Sequence, residues 1–324
     1  MSLLKKHFKG NDMKTNAQLL EIMDKEVFGH QAAKKALITL VARAQRNYID
    51  EHAYGKSRKE LSSPMKLLMM GESGTGKTFL VETLRTELGL PYFYVDATKL
   101  NPTGATSGIT ETALRKSILS HADDLVKVPG SKFKSVEGAL AQMVVFVDEF
   151  DKLGNSFEAS GKWNSHVQSN FLTLIDDKDK LSRVSWVFAG AFTDTREKKH
   201  AKKHMLGFMG EESTALATKA ITDDELLKSG IIPEMLGRIT KIVELDVFSE
   251  DEYVRLITER LLPAKLAEVD NMGMNGEHVE VDVNKMAKDA SKSGMGIRHI
   301  QRSLDTLFEY LEWEVDFDRS MCHI

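Results

Sequence analysis

At 324 residues, with 42% hydrophobic and 28% charged residues, the chain has the composition of an ordinary globular protein and enough length for about two domains. A net charge of -4 argues against a general nucleic-acid coat, and the single cysteine, Cys322, excludes a disulfide framework and a cysteine zinc site. No apolar run approaches the roughly 20 residues of a membrane helix and no signal peptide is visible, so the expectation is a soluble, cytoplasmic protein without a membrane partner.

Residues 1–25 are mixed and charged, with a weak helical pattern around Leu19, Leu20 and Met23. Val27-Phe28-Gly29-His30-Gln31 then opens a long helical pattern carried by Ala32, Ala33, Ala36, Leu37, Leu40, Val41 and Ala44. A polar, basic linker over residues 52–63 ends at Pro64. Short apolar runs follow at Leu67 to Met70, Tyr92 to Val95, Met143 to Val147 and Trp186 to Ala189, separated by helical patterns. Continuous apolar runs of this kind fit strands buried on both faces of a parallel sheet. Strands alternating with helices predict an α/β fold. A polar insertion lies near residues 127–134, and Gly104 and Gly108 mark a loop before a helix from about Glu111. From Ser249, where Ser249-Glu250-Asp251-Glu252 reads as a capped start, the chain is mainly helical. Its last helix carries Ile297, Ile300, Leu304, Leu307, Phe308 and Leu311 on one face. The expected organisation is an N-terminal segment over 1–25, a large α/β nucleotide-binding domain over 26–248, and a small helical lid domain over 249–324.

The rest of the chain is organised around Gly71-Glu72-Ser73-Gly74-Thr75-Gly76-Lys77-Thr78. It stands between an apolar run and an amphipathic helical pattern, the context of a phosphate-binding (Walker A) loop. Gly71, Gly74 and Gly76 let the backbone turn sharply, so that the N–H groups through Ser73 and Thr75 converge on an anion. Lys77 adds positive charge, and the helix N-terminus adds its dipole. The Thr78 hydroxyl is placed to ligate a magnesium ion bridging the β- and γ-phosphates. The cofactors implied are ATP and Mg2+. Asp148-Glu149, behind five apolar residues, supplies the other half of the site (Walker B). Asp148 is expected to hold the magnesium, directly or through water, and Glu149 to orient the attacking water.

With Val147-Asp148-Glu149-Phe150-Asp151-Lys152-Leu153 and Gly230-Ile231-Ile232-Pro233-Glu234-Met235-Leu236-Gly237-Arg238-Ile239, the chain resembles the AAA+ ATPases of the Clp/HslU branch, nearest the ClpX type. The resemblance runs from about Val27 to the final helix. It implies a P-loop domain with a helical lid, assembled into a homo-oligomeric, hexameric ring that hydrolyses ATP at subunit interfaces and unfolds protein substrates. Val27 and Phe28 match the family's box near the adenine. Arg238 matches the arginine finger that reaches a neighbouring subunit's site, where a permanently charged fork of donors suits the γ-phosphate. Arg298, in Gly296-Ile297-Arg298, matches the lid sensor that touches nucleotide. For the sensor beside the strand Trp186 to Ala189, Ala189 and Gly190 lack a polar side chain and Thr193 is the candidate.

Three features bear on what the motor acts upon. Gly104-Ala105-Thr106-Ser107 stands where the family presents an aromatic–hydrophobic pore loop, and Ala105 and Thr106 offer little apolar area for grip. Trp163 lies in the segment resembling a second pore loop, where it either compensates or anchors the loop to the core. Leu206-Gly207-Phe208, between a basic and an acidic run, resembles the loop that docks into a ClpP-like peptidase ring. His200 and His204 read as part of a basic solvated loop. Residues 1–25 contain no cysteine, so the zinc-binding N-terminal domain of typical ClpX is not expected. Two functions remain open: a ClpX-type protein unfoldase, and an ATP-gated assembly or regulatory protein that binds a dedicated partner without threading it. A DNA motor on the same fold rests on analogy alone.

Overall fold

The computed structural model describes residues 14–100, 109–154, 161–177, 179–193, 221–272 and 280–321. The chain divides into two compact units, one comprising residues up to Gly71 with Lys77–Leu245, the other Glu72–Gly76 with the chain from Asp246 onward.

The first unit is an α/β domain. Helix α1 (Asn16–Glu26) starts in a capping box between Thr15 and Gln18, and α2 (Gln31–His52) follows it. Five strands, β1 (Lys66–Met70), β2 (Tyr92–Asp96), β3 (Val144–Asp148), β4 (Ser185–Gly190) and β5 (Lys241–Glu244), form one sheet in the order β2-β3-β4-β1-β5. Every neighbouring pair is parallel. Between the strands lie α3 (Lys77–Leu88), α4 (Glu111–Lys127), α5 (Val136–Gln142), α6 (Gly161–Ile175), α7 (Asp223–Lys228) and α8 (Pro233–Leu236).

The two-residue period of the strands sorts their apolar side chains into two cores. Leu68, Met70, Val145, Val147, Trp186 and Phe188 pack on one face, with Leu114 and Ile118 of α4 and Phe171 and Leu174 of α6. Leu67, Met69, Val144, Phe146, Val187 and Val243 pack on the other, with Leu37 and Val41 of α2 and Leu80 and Leu84 of α3. That is why β1, β3 and β4 read as unbroken apolar runs. The strand β5 was not visible in the sequence: among its four residues only Val243 is buried, and Lys241 lies exposed at the sheet's edge.

The second unit is helical in its described residues from Asp246. Ser249 and Glu252 form a capping box that starts α9 (Glu250–Leu256). A π-helical turn, Ile257–Leu261, joins it to α10 (Leu262–Asn271). Pro263 sits just after the wide turn, which accommodates a residue lacking an N–H for the ordinary helical bond. Helix α11 (Val283–Ser293) ends at Gly294 (φ 65°), and α12 (Ile297–Met321) follows. Tyr253, Ile257, Ala290, Ile300, Leu304 and Phe308 are buried in this unit. Among the described residues no helix is long and apolar enough to cross a membrane.

Candidate functional site

In the first unit, β4 lies between β1 and β3, so the chain's order along the sheet reverses there. Ligands of open parallel sheets sit at the carboxyl ends of the strands at such a reversal. Both sequence-predicted halves of the site lie at that end. Gly71, following β1, donates its N–H to Gly190 O at 3.2 Å. Lys77, the first residue of α3, donates from Nζ to Gly71 O at 2.6 Å. The Thr78 hydroxyl donates to Asp148 Oδ2 at 3.1 Å. Asp148 Oδ1 accepts the N–H of Glu149 at 2.9 Å, fixing the carboxylate's orientation.

Glu149 is exposed and takes a left-handed backbone (φ 56°, ψ 30°), unusual for a side chain with a Cβ. Strain of that kind costs about 1–3 kcal/mol and persists where the surroundings dictate it. Here the chain must turn from a buried strand straight into the helical turn Phe150–Leu153. The turn leaves the Glu149 side chain in solvent beside Asp148. On the edge strand β2, burial pushes the Tyr94 phenol up, and Asp148, Asp96 and Glu149 raise it further. The strand ends thus carry a negative field.

A hydroxyl and a carboxylate oxygen in contact form the hard, oxygen-only donor pair that magnesium favours. Among the described residues no group of three or more His, Cys, Asp or Glu could hold a metal alone. Magnesium is usually held by one or two protein carboxylates, with phosphates and waters completing its shell. Thr78 and Asp148 are therefore suited to Mg2+ held with a nucleoside triphosphate.

The second unit holds the middle of the glycine loop. Gly74 (φ 78°) and Gly76 (φ 92°) adopt backbone that L-residues rarely accept. At Gly74 a Cβ would also lie 2.0 Å from Met295 O. Ile297 N–H donates to Gly74 O at 3.3 Å, and Arg298 Nη1 donates to Ser73 Oγ at 2.7 Å. The predicted sensor arginine and a predicted loop residue are therefore in contact. Thr75 is buried, and its hydroxyl donates to Glu72 O at 2.8 Å.

Val27 and Phe28 lie in the turn between α1 and α2, which passes through Gly29 (φ 64°) and His30 (φ 55°). Val27 is 4% exposed, so little of it remains for a base; Phe28 is half-buried and has more. The turn is held from behind by Lys34, itself 1% exposed, whose ammonium donates to Val27 O at 2.5 Å and Asp24 Oδ1 at 2.7 Å.

Arg238, just past α8, is set apart from these groups. Its Nε donates to both carboxylate oxygens of Asp176, at 2.7 and 2.6 Å, and its side chain is 48% exposed. Thr193 is exposed and follows Phe192, which has a left-handed backbone (φ 51°) and an N–H directed at Asp151 Oδ2, 3.4 Å away. Trp163 lies in the first turn of α6. Ala105, Thr106, Leu206, Gly207, Phe208, His200, His204 and Cys322 lie outside the described residues.

Three polar residues escaped the sequence reading. Asp151 is 4% exposed and faces Gly190, where a Cβ would come within 2.7 Å of its Oδ1. Gln168 is fully buried, and Asp176 holds Arg238. Only Asp151 left a trace, as the third acid of Asp148-Glu149-Phe150-Asp151. Gln168 and Asp176 look like ordinary helix-surface and loop residues until their partners are known.

The profile of the ATPase family associated with various cellular activities (AAA) matches residues 67–205. The chain is 26% identical over 269 positions to the ATP-dependent Clp protease ATP-binding subunit ClpX 2 of Wolinella succinogenes, covering 75% of this chain and 62% of that one. It is 25% identical over 340 positions to the ATP-dependent Clp protease ATP-binding subunit ClpX of Treponema denticola, covering 91% and 77%. The corresponding subunit of Bacteroides thetaiotaomicron is 26% identical over 335 positions, covering 90% and 76%. The chain thus spans less than two thirds of the length of the first of these curated relatives and about three quarters of the other two.

Proposed function

We propose, from the premise that this chain is an AAA+ ATPase related to ClpX, that it is an ATP-driven ring motor acting on protein substrates. The observation that carries the reading is the meeting of Thr78 and Asp148 at 3.1 Å with Glu149 exposed beside them. Those are the groups that hold a magnesium–phosphate and present a base to water. Bound Mg2+ would neutralise charge developing on the transferring phosphoryl group. The glycine loop (Gly71, Ser73, Gly74, Thr75, Gly76) and Lys77 bind the phosphates, and Val27 and Phe28 flank the base. Glu149 accepts the proton of the attacking water. Arg298 reports nucleotide to the lid domain. Arg238 serves the site of an adjacent copy in a hexameric ring, and a ClpP-like peptidase ring is the proposed downstream partner.

The first test is Glu149→Gln, which should bind ATP as the parent does and lose hydrolysis. Turnover retained at the parent rate would remove Glu149 from its role. The second is ATP-dependent loss of fluorescence from a tagged folded reporter, with and without a ClpP-like ring. The absence of an aromatic at Ala105 and Thr106 favours a second reading, an ATP-gated remodeller of one dedicated partner. Vigorous ATP hydrolysis with no unfolding of any tagged reporter would select it.

A further inference from the structure

Helix α6 and the residue that follows it touch the segment that carries Arg238 at two places. The first is Gln168, which has no exposed surface. Its Nε2 donates to Leu153 O at 2.8 Å and Gly230 O at 2.9 Å, and its Oε1 accepts from Ile232 N–H at 2.9 Å. Both amide donors and the carbonyl are engaged, so the side chain has one orientation. Leu153 ends the helical turn that begins directly after Glu149. Gly230 and Ile232 lead into α8 and Arg238. The two backbones are already in contact: a Cβ on Gly230 would lie 1.7 Å from Gly154 O, and one on Gly154 would lie 2.4 Å from Ser229 O. A shift at the Glu149 turn is therefore felt at Gly230, with Gln168 as the bolt.

The second place is Asp176, just beyond the end of α6, whose carboxylate takes both contacts from Arg238 Nε. Among the described residues neither Nη of Arg238 makes a hydrogen bond. A guanidinium is planar, so fixing Nε sets the direction in which the remaining donors point. Asp176 thus aims the fork of Arg238 without occupying it.

We infer that Asp176 and Gln168 are positioning residues for Arg238, tying the finger's direction to the chain's own Glu149 turn. Through them, the state of one subunit's nucleotide site sets the finger offered to its neighbour. The inference rests on the proposed roles of Arg238 and Glu149.

The experiment uses the full chain, assembled, with steady-state ATP hydrolysis measured against ATP concentration. Asp176→Ala should lower kcat on the order of tenfold to a hundredfold, the cost of a misaimed group. Binding of a fluorescent ATP analogue should stay within about twofold, because Asp176 makes no contact with the groups proposed to bind nucleotide. Asp176→Glu should recover part of the loss. The double variant Asp176→Ala/Arg238→Ala should be no slower than Arg238→Ala alone, since the two act as one unit. Mixing Asp176→Ala with Lys77→Ala subunits should restore turnover, as the latter offer a correctly aimed finger to an intact site. A general structural defect in α6 would not be rescued in this way. Gln168→Leu should behave like Asp176→Ala. Should that buried change prevent folding, the series at the half-buried Asp176 still decides.

An Asp176→Ala ring that hydrolyses ATP at the parent rate, beside an inactive Arg238→Ala ring, overturns this inference alone. If Arg238→Ala itself turns over normally, the finger reading fails and this inference goes with it.

Discussion

The carboxyl end of the sheet and the Arg238 segment both supply groups to the proposed reaction, but they are built on different terms. Thr78 and Asp148 meet inside the chain, each placed by a residue at the boundary of a buried strand or its following helix. Arg238 stands half-exposed, steered by one carboxylate. The first arrangement is finished when the chain folds. The second, on the proposed reading, is completed by the phosphate at an adjacent copy's site. On the proposed reading, the contrast separates what a single copy would do, which is to hold nucleotide, from what it would need a neighbour to do, which is to turn it over.

The strongest way to break that contrast is to remove one group from each side. Lys77→Ala and Arg238→Ala should each reduce ATP hydrolysis by about 10³-fold or more, the scale associated with arginine fingers. Only Lys77→Ala should also abolish binding of a fluorescent ATP analogue. An equal mixture of the two variants should regain measurable phosphate release, because some interfaces then pair an intact site with an intact finger. Equal loss of binding in both variants would show that Arg238 belongs to the chain's own site, and the contrast would collapse.

A smaller effect tests the join between the two regions. Gly230 (φ 91°) and Gly55 (φ 68°) both adopt left-handed backbone, yet their surroundings differ. A Cβ at Gly55 meets nothing within 4 Å, whereas at Gly230 it lies 1.7 Å from a backbone oxygen. Gly55→Ala should cost about 1 kcal/mol from backbone strain alone. Gly230→Ala should cost about 3 kcal/mol or more, because two backbones must part. Thermal melts of the two variants check this. Equal shifts in Tm would mean that the Gly154–Gly230 approach is loose and that no tight link joins Glu149 to Arg238.

The same contrast explains what could be read from the sequence. The placement of the glycine loop and of Asp148-Glu149 was legible because it depends on chain order: strand, glycines, helix, and an acid at the end of an apolar run. The strands β1, β3 and β4 announced themselves because burial on both faces leaves an unbroken apolar run, and the edge strand β2 did so through its run of aromatic and β-branched residues, Tyr92 to Val95. The edge strand β5 did not, since only Val243 is buried there and its neighbours read as loop. Arg298 was singled out by a resemblance, and the structure brings its guanidinium to Ser73. Gln168 and Asp176 could not be found, because their partners in the Arg238 segment, Gly230 and Arg238, each lie 62 residues away along the chain. Nothing in a glutamine between Val167 and Ser169 says that it is buried.

The least of these effects concerns a third segment, the turn bearing Val27 and Phe28 that is proposed to flank the base, which the chain secures from its own residues. Burial alone would raise the Asp24 carboxyl, but hydrogen bonds from Lys34 and Gln31 outweigh it and hold the group below its ordinary value of 3.8. A carboxyl with a depressed value in the fold adds stability that is present above the unfolded value and disappears as pH falls through the folded one. Asp24→Asn should therefore cost about 1–2 kcal/mol at neutral pH, a modest figure because Asp24 is 42% exposed and water screens the pair. The gap in Tm between parent and variant should begin to narrow as pH drops below about 4, where Asp24 is protonated in the unfolded chain but still ionised in the fold. KM for ATP should rise by no more than a few-fold, since Lys34 keeps its bond to Val27 O. A gap in Tm that stayed constant down to pH 3 would assign the cost to lost packing, and the buried ammonium would then owe its place to Val27 alone.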